Sequence, residues 1–184
     1  MTNPPQAQPP CDIDAERAVL ASVLVDGQQG NPSLKSCLAA TLEARSFYEP
    51  KHQTIFLGLC ELLNEGQVPD EISLANKLRT HHQLETAGGV AYINELSSSL
   101  FSPSPNLGHF TRIIQEKHQA RQLINIARDL SAKALSGAFT PAELAQGFQA
   151  QAKTILEASV RKETTQRMAL AELQAFDRHN DPNC

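Results

Sequence analysis

An all-α fold is expected for this chain: a small helical bundle, then a long antiparallel helical hairpin, then a separate linker helix. Three observations predict it. Aromatic residues make up only 5% of the 184 residues, and no segment alternates apolar and polar side chains over more than a few positions, so strand signals are scarce. Apolar residues recur instead at helical spacing, and caps and turn residues punctuate them at intervals suited to short helices. From about Asn106 to Ser136 the pattern runs on without a break for some 30 residues, about three times the usual helix length.

The proline-rich opening "MTNPPQAQPP" reads as an extended, disordered lead over residues 1–10. Asp12 is placed to cap a first helix with the apolar face Ala15, Val19, Leu20, Val23 and Leu24, stopping near Asp26 and Gly27. After the loop "GQQGNPSL", Pro32 opens a short helix carrying Leu34, Cys37 and Leu38. Pro50 opens the next, whose broad face of Ile55, Phe56, Leu59, Cys60, Leu62 and Leu63 belongs at the bundle centre, and Gly66 closes it. Ser73 is expected to cap a fourth helix through Leu74 and Leu78.

"HHQLETAGGVAYINEL" leads into a fifth, containing Tyr92, Ile93 and Leu96. Its glycine pair suggests a phosphate loop, but "VAY" follows with no cation in reach, and no glycine in the chain is followed by Lys and Ser or Thr. The pair is better explained by packing: it turns the chain into a helix with Tyr92 and Leu96 facing inward, where a side chain at 88 or 89 would clash. Residues 11–100 thus form the bundle.

Beyond the loop "SSSLFSPSPN" comes the hairpin, residues 106–160. Ile113, Ala120, Ala127 and Ala134 recur at intervals of seven, flanked by Leu123 and Leu130, a coiled-coil-like seam whose small residues allow close approach. Gly137 ends this helix, and Thr140, Pro141 and Glu143 occupy the cap, first and third positions of a capping box. The returning helix presents Leu144, Phe148, Ala152 and Ile155. Such a hairpin cannot cover both sides of its helices by itself, so Ile113, Ala120, Leu123, Ala127, Leu130, Leu144, Phe148 and Ile155 are the expected interface with a second copy. After "RKETT", residues 165–178 form the linker helix, with Ala169, Leu170, Leu173 and Phe176 as a docking face.

Chemistry is hard to find. The formal net charge of −4 gives no global attraction to nucleic acid or anionic membrane, and no run of about 18 apolar residues exists. A cytoplasmic protein is expected. The four cysteines lack metal or redox spacing, and the six histidines include only the adjacent pair His81 and His82, which point apart on a helix. Paired acids such as Asp12 and Asp14, or Asp70 and Glu71, sit where helix starts favour negative charge. Arg112, Lys117, Arg121, Arg128 and Lys133 are interleaved with Glu116 and Asp129 and read as a solvated face, so any DNA contact is weak or indirect. No catalytic, cofactor or metal residues are assigned.

An ordered set of motifs carries a resemblance. "DAERAVLASVLVD" opens the first helix; "FYEPKHQTIFLGLCELLNEG" places Phe47, Tyr48, His52, Ile55, Phe56, Leu62 and Gly66; "LETAGGVAYINEL" follows; "SPSPN" then precedes "IIQEKHQARQLI" with Glu116 and Arg121. Over residues 10 to about 160 the chain resembles the N-terminal domain of DnaB-type replicative DNA helicases. Ala21 departs from that family's glycine, and "DGQQGNPSLKS" is an atypical first connection, as in a divergent, phage or plasmid-like member.

The resemblance implies a non-catalytic collar. Its hairpin pairs with a neighbour's, giving a homo-oligomer that is a dimer or a hexamer built as a trimer of dimers, and the collar recruits primase and helicase loader in DNA replication. ATP and magnesium would belong to a separate C-terminal motor domain, reached through the linker helix, which is not in this chain. A fragment of a larger 5′ to 3′ helicase is therefore expected; the alternative is a stand-alone replication adaptor or regulator sharing the collar fold.

Overall fold

A computed structural model describes residues 8–26, 32–39, 42–98, 106–155 and 157. The fold is all-α, and among the described residues there is no strand. The expected linker helix, with Ala169, Leu170, Leu173 and Phe176, lies outside the described residues. The chain divides after Arg121 into two compact units, the first of which takes in the first half of the long helix.

Helix α1 (Ile13–Val25) is the centre of the first unit. Asp12 accepts a hydrogen bond from the backbone N–H of Ala15 at 2.9 Å, and Asp14 and Glu16 add negative charge to the first turn. The five residues of the expected face are all buried, but so are Ala18, Ala21 and Ser22. A helix buried almost all round must be covered on several sides. Helices α2 (Pro32–Ala39), α3 (Pro50–Asn64) and α5 (Gly89–Ser98) supply that cover.

Pro50 takes the first position of α3, and Gly66 ends the run at φ +71°, where Gln67 N–H bonds back to the carbonyl of Leu62. Phe47, in the turn before α3, meets Phe56 with ring centroids 4.9 Å apart. Both rings are buried, each contributing about 1.5 to 3 kcal/mol. Helix α4 (Glu71–Thr80) packs on α3 at Gly58, where a β-carbon would lie 2.9 Å from Leu74 Cδ1.

The cap of α4 is Asp70, not Ser73. Asp70 accepts from the backbone N–H of Ser73 at 2.8 Å, because an aspartate before the first turn offers the helix N-terminus a full negative charge. His81 and His82 lie beyond the last turn of α4, His82 at φ 55°.

Gly88 and Gly89 both have positive φ, +91° and +74°. A β-carbon at Gly88 would lie 2.9 Å from Tyr92 Cβ, whereas one at Gly89 would meet nothing within 4 Å. The expected clash is therefore confined to 88; Gly89 is required for its backbone alone. Leu96 and Ile93 face the core, and Tyr92 is half-buried.

Helix α6 (Leu107–Ser136) begins with Asn106, whose carbonyl accepts from His109 and Phe110. Its buried residues, Thr111, Ile114 and Gln115, all fall in the first three turns. Leu107, Phe110 and Ile113 pack against the core beside them.

In the second unit, α6 ends before Gly137 (φ +67°) and α7 covers residues 141–155. The capping box is complete. Thr140 N–H and hydroxyl both donate to Glu143 at 2.8 Å, and Glu143 N–H donates back to Thr140 Oγ1 at 3.3 Å.

Candidate functional site

The sharpest surface feature lies in the hairpin. The last turns of α6 and the first turns of α7 line a groove of about 300 Å³ whose apolar wall is Ile126, Leu130, Phe139, Leu144 and Phe148. Asp129, Lys133, Glu143 and Gln151 form its polar rim, with Lys133 paired to Asp129 at 2.7 Å. Phe139 and Phe148 are 46% and 39% exposed, high values for rings that a closed core would cover. Gly147 leaves the α7 side of the groove open, with no neighbour where its β-carbon would be.

Of the residues expected at the interface, Leu130, Leu144 and Phe148 come together in this groove. Leu123 and Ala127 are exposed on α6 outside it, and Ala120 and Ile155 are half-buried. Ile113 lies in the first unit and packs against the bundle core. Reading the chain missed Ile126 and Phe139. Ile126 falls between the heptad positions, and Phe139 lies in the turn, where periodicity carries no information.

A second constellation is buried in the first unit. Glu16 and His52 are 2% and 0% exposed, and Glu16 Oε2 lies 2.7 Å from His52 Nδ1. A carboxylate only accepts, so the proton sits on Nδ1, leaving Nε2 to accept the hydroxyl proton of Tyr92 at 2.6 Å. The other acceptor sites of Glu16 take the backbone N–H of Tyr48 at 2.5 Å and of Glu49 at 3.3 Å. One carboxylate of α1 thus holds the backbone just before α3 and, through the imidazole, ties down α5.

Acid, imidazole and hydroxyl in series resemble a nucleophile-activating triad, but the ingredients are wrong for one. Burial pushes the Tyr92 phenol above its usual range, with the carboxylates of Glu95, Glu49 and Glu16 adding to it and Arg17 opposing. The ring is also stacked on His52 and covered by Lys51 Nζ at 4.1 Å. Such a hydroxyl is a fastener, not a nucleophile.

The thiols are equally quiet. Burial raises Cys37 to about 12 and Cys60 to about 11, far from the range of a reactive thiolate. Among the described residues no three of His, Cys, Asp or Glu converge as a metal site requires. No helix among them is long and apolar enough to cross a membrane.

Glu16, His52 and Tyr92 come from three separate motifs of the sequence, and they meet in one hydrogen-bonded chain. A family model for the DnaB-like helicase N-terminal domain matches residues 8–116, more than half of the chain and the whole of this network. The chain belongs to the DnaB-like helicase N-terminal domain family.

Relatives of this family agree over the same region. The replicative DNA helicase DnaB of Treponema pallidum (strain Nichols) is 38% identical over 140 residues, 74% of this chain and 31% of that protein. The replicative DNA helicase DnaC of Bacillus subtilis (strain 168) is 28% identical over 158 residues, 85% of this chain and 33% of that protein. The chain therefore spans about a third of the length of these relatives. The crystal structure of the N-terminal domain of DnaB helicase from Mycobacterium tuberculosis superposes with a TM-score of 0.71 at 26% identity, covering 80% of this chain and 99% of that one. A structure of a DnaB-like replicative helicase and its interactions with primase matches 78% of the chain and 31% of its own, with a TM-score of 0.64 at 25% identity. The part of the DnaB family matched here is its N-terminal domain.

Proposed function

We propose that this chain is the collar of a cytoplasmic replicative DNA helicase: a non-catalytic platform whose hairpin pairs with the hairpin of a second copy. It gathers subunits into a dimer, or into a hexamer as a trimer of dimers, and recruits primase and loader to the assembly. ATP and magnesium belong to the motor domain of the complete helicase, and DNA contact through the collar is weak or indirect.

The observation that carries this reading is the hairpin groove, where Phe139 and Phe148 stand open beside Ile126, Leu130 and Leu144. Two open aromatic rings beside an apolar groove support contact with a partner there. Membership of the DnaB family supports the replication context, and the related helicase structure described with its interactions with primase supports the choice of partner. The expected interface positions outside the groove, Ala120, Leu123, Ala127 and Ile155, extend the same helices and would broaden the contact; Ile113 would reach it only at the bundle end of α6.

Sedimentation equilibrium of the chain with Ala127→Glu and Phe148→Glu tests the reading. The unsubstituted chain should associate and the double variant should run as a monomer. An unchanged mass would remove the hairpin from the interface.

A further inference from the structure

Arg121 is the last residue of the first unit, two turns beyond the last buried residue of α6. The buried residues of α6 end at Gln115, those from Lys117 to Gln122 are half-buried, and from Leu123 to Ser136 the helix is half-buried or exposed throughout. The Arg121 guanidinium donates one N–H to the carbonyl of Pro10 at 2.8 Å and another to the carbonyl of Ser46 at 2.6 Å. Its central carbon stands 5.7 Å from the centroid of the Tyr48 ring. Pro10 belongs to the extended segment before α1, and Ser46 to the turn before α3.

Two stretches remote from α6 and from each other in sequence therefore converge on one side chain. The planar fork of an arginine suits this task, since its N–H groups diverge at fixed angles toward two acceptors, which a lysine ammonium cannot reproduce. Burial opposes the charge and lowers the Arg121 pKa, while the Glu16 carboxylate opposes that fall. The same carboxylate holds the backbone N–H of Tyr48, so the cation and its aromatic cover share one support.

We propose that Arg121 is a clasp through which the leader, residues 8–11, governs how firmly the first half of α6 is held on the bundle. With the leader seated, the guanidinium has both carbonyls; with the leader lifted away it keeps only that of Ser46, and the turn of α6 around it loosens. Whatever displaces the leader would be felt in the turn of α6 around Arg121. The inference does not depend on what the hairpin binds.

The test is amide hydrogen exchange, read by mass spectrometry, on full-length chains. Pro9→Gly with Pro10→Gly makes the leader more flexible without touching α6, and should speed exchange in the peptide around Arg121 by about fivefold. Arg121→Ala and Arg121→Lys should each speed the same peptide by about tenfold, since charge-assisted hydrogen bonds are lost in both. In either Arg121 background the glycine pair should add nothing, because the leader then has no clasp to act through. Exchange in α3, at residues 55–62, should stay unchanged throughout. The proposal is overturned by an α6 peptide that ignores the glycine pair, by leader and Arg121 effects that simply add, or by α3 exchange that rises in step.

Discussion

Glu16 and His52 sit 2.7 Å apart with both side chains sealed from solvent, and between them they join three helices. The carboxylate satisfies two backbone N–H groups just before α3 as well as the imidazole. Removing it deprives the buried imidazole and two half-buried backbone donors of their acceptor. Glu16→Gln, whose amide presents a donor where only acceptors fit, should cost about 1 to 3 kcal/mol in urea unfolding. A loss below about 1 kcal/mol would mean that the network is not a fastener.

The two glycines before α5 should separate cleanly. Gly89→Ala meets no neighbour and suffers only the backbone penalty of its positive φ, about 1 to 2 kcal/mol. Gly88→Ala adds a collision with Tyr92, the residue that reaches His52, for about 2 to 4 kcal/mol in all. Thermal unfolding of the two variants ranks them, and equal costs would contradict the observed contact.

Acid should fray α7 from its start. The Glu143 carboxyl is held below its ordinary value of 4.5 by the N–H of Thr140 first and its hydroxyl second. A depressed carboxyl stabilises the fold above its unfolded value and loses that contribution as pH falls through the lower folded one. Amide chemical shifts at residues 142–144 should therefore move toward coil below pH 4.5, and in Thr140→Ala they should already be displaced at neutral pH. Flat shifts through the acid range would contradict the capping box.

Alkali should act on the first unit through Cys37. Its thiol, raised by burial from 9.0 to about 12, keeps its proton in the folded state while the unfolded chain releases one. Stability is undiminished below pH 9.0 and falls as pH rises toward 12, with a slope of up to about 1.4 kcal/mol per pH unit from this group. Urea midpoints across that window should decline less steeply in Cys37→Ala, with a smaller residual slope from Cys60, which is raised to about 11. Parallel declines would show that Cys37 ionises freely in the fold.

Some of this was legible in the chain because it is local. A cap at Asp12, a proline opening at Pro50, a glycine exit at Gly66 and the capping box at Thr140 depend on residues within one turn of each other. The cap of α4 went to Asp70 because two candidates stood three residues apart and only the folded backbone chooses between them. In the hairpin, Leu130, Leu144 and Phe148 followed from helical period, while Phe139 did not, since a turn residue has no period.

By itself the sequence determined the helical class, most helix boundaries and, through four spaced motifs, the family. Short-range hydrogen bonding and the 3.6-residue repeat are written in neighbouring residues, so no other part of the chain is needed to read them. Only the tertiary structure decided that Glu16, His52 and Tyr92 form one chain, that Arg121 holds both Pro10 and Ser46, and that Gly88 rather than Gly89 meets Tyr92. Those contacts depend on distances and angles between separate helices, which packing sets once α1 is surrounded.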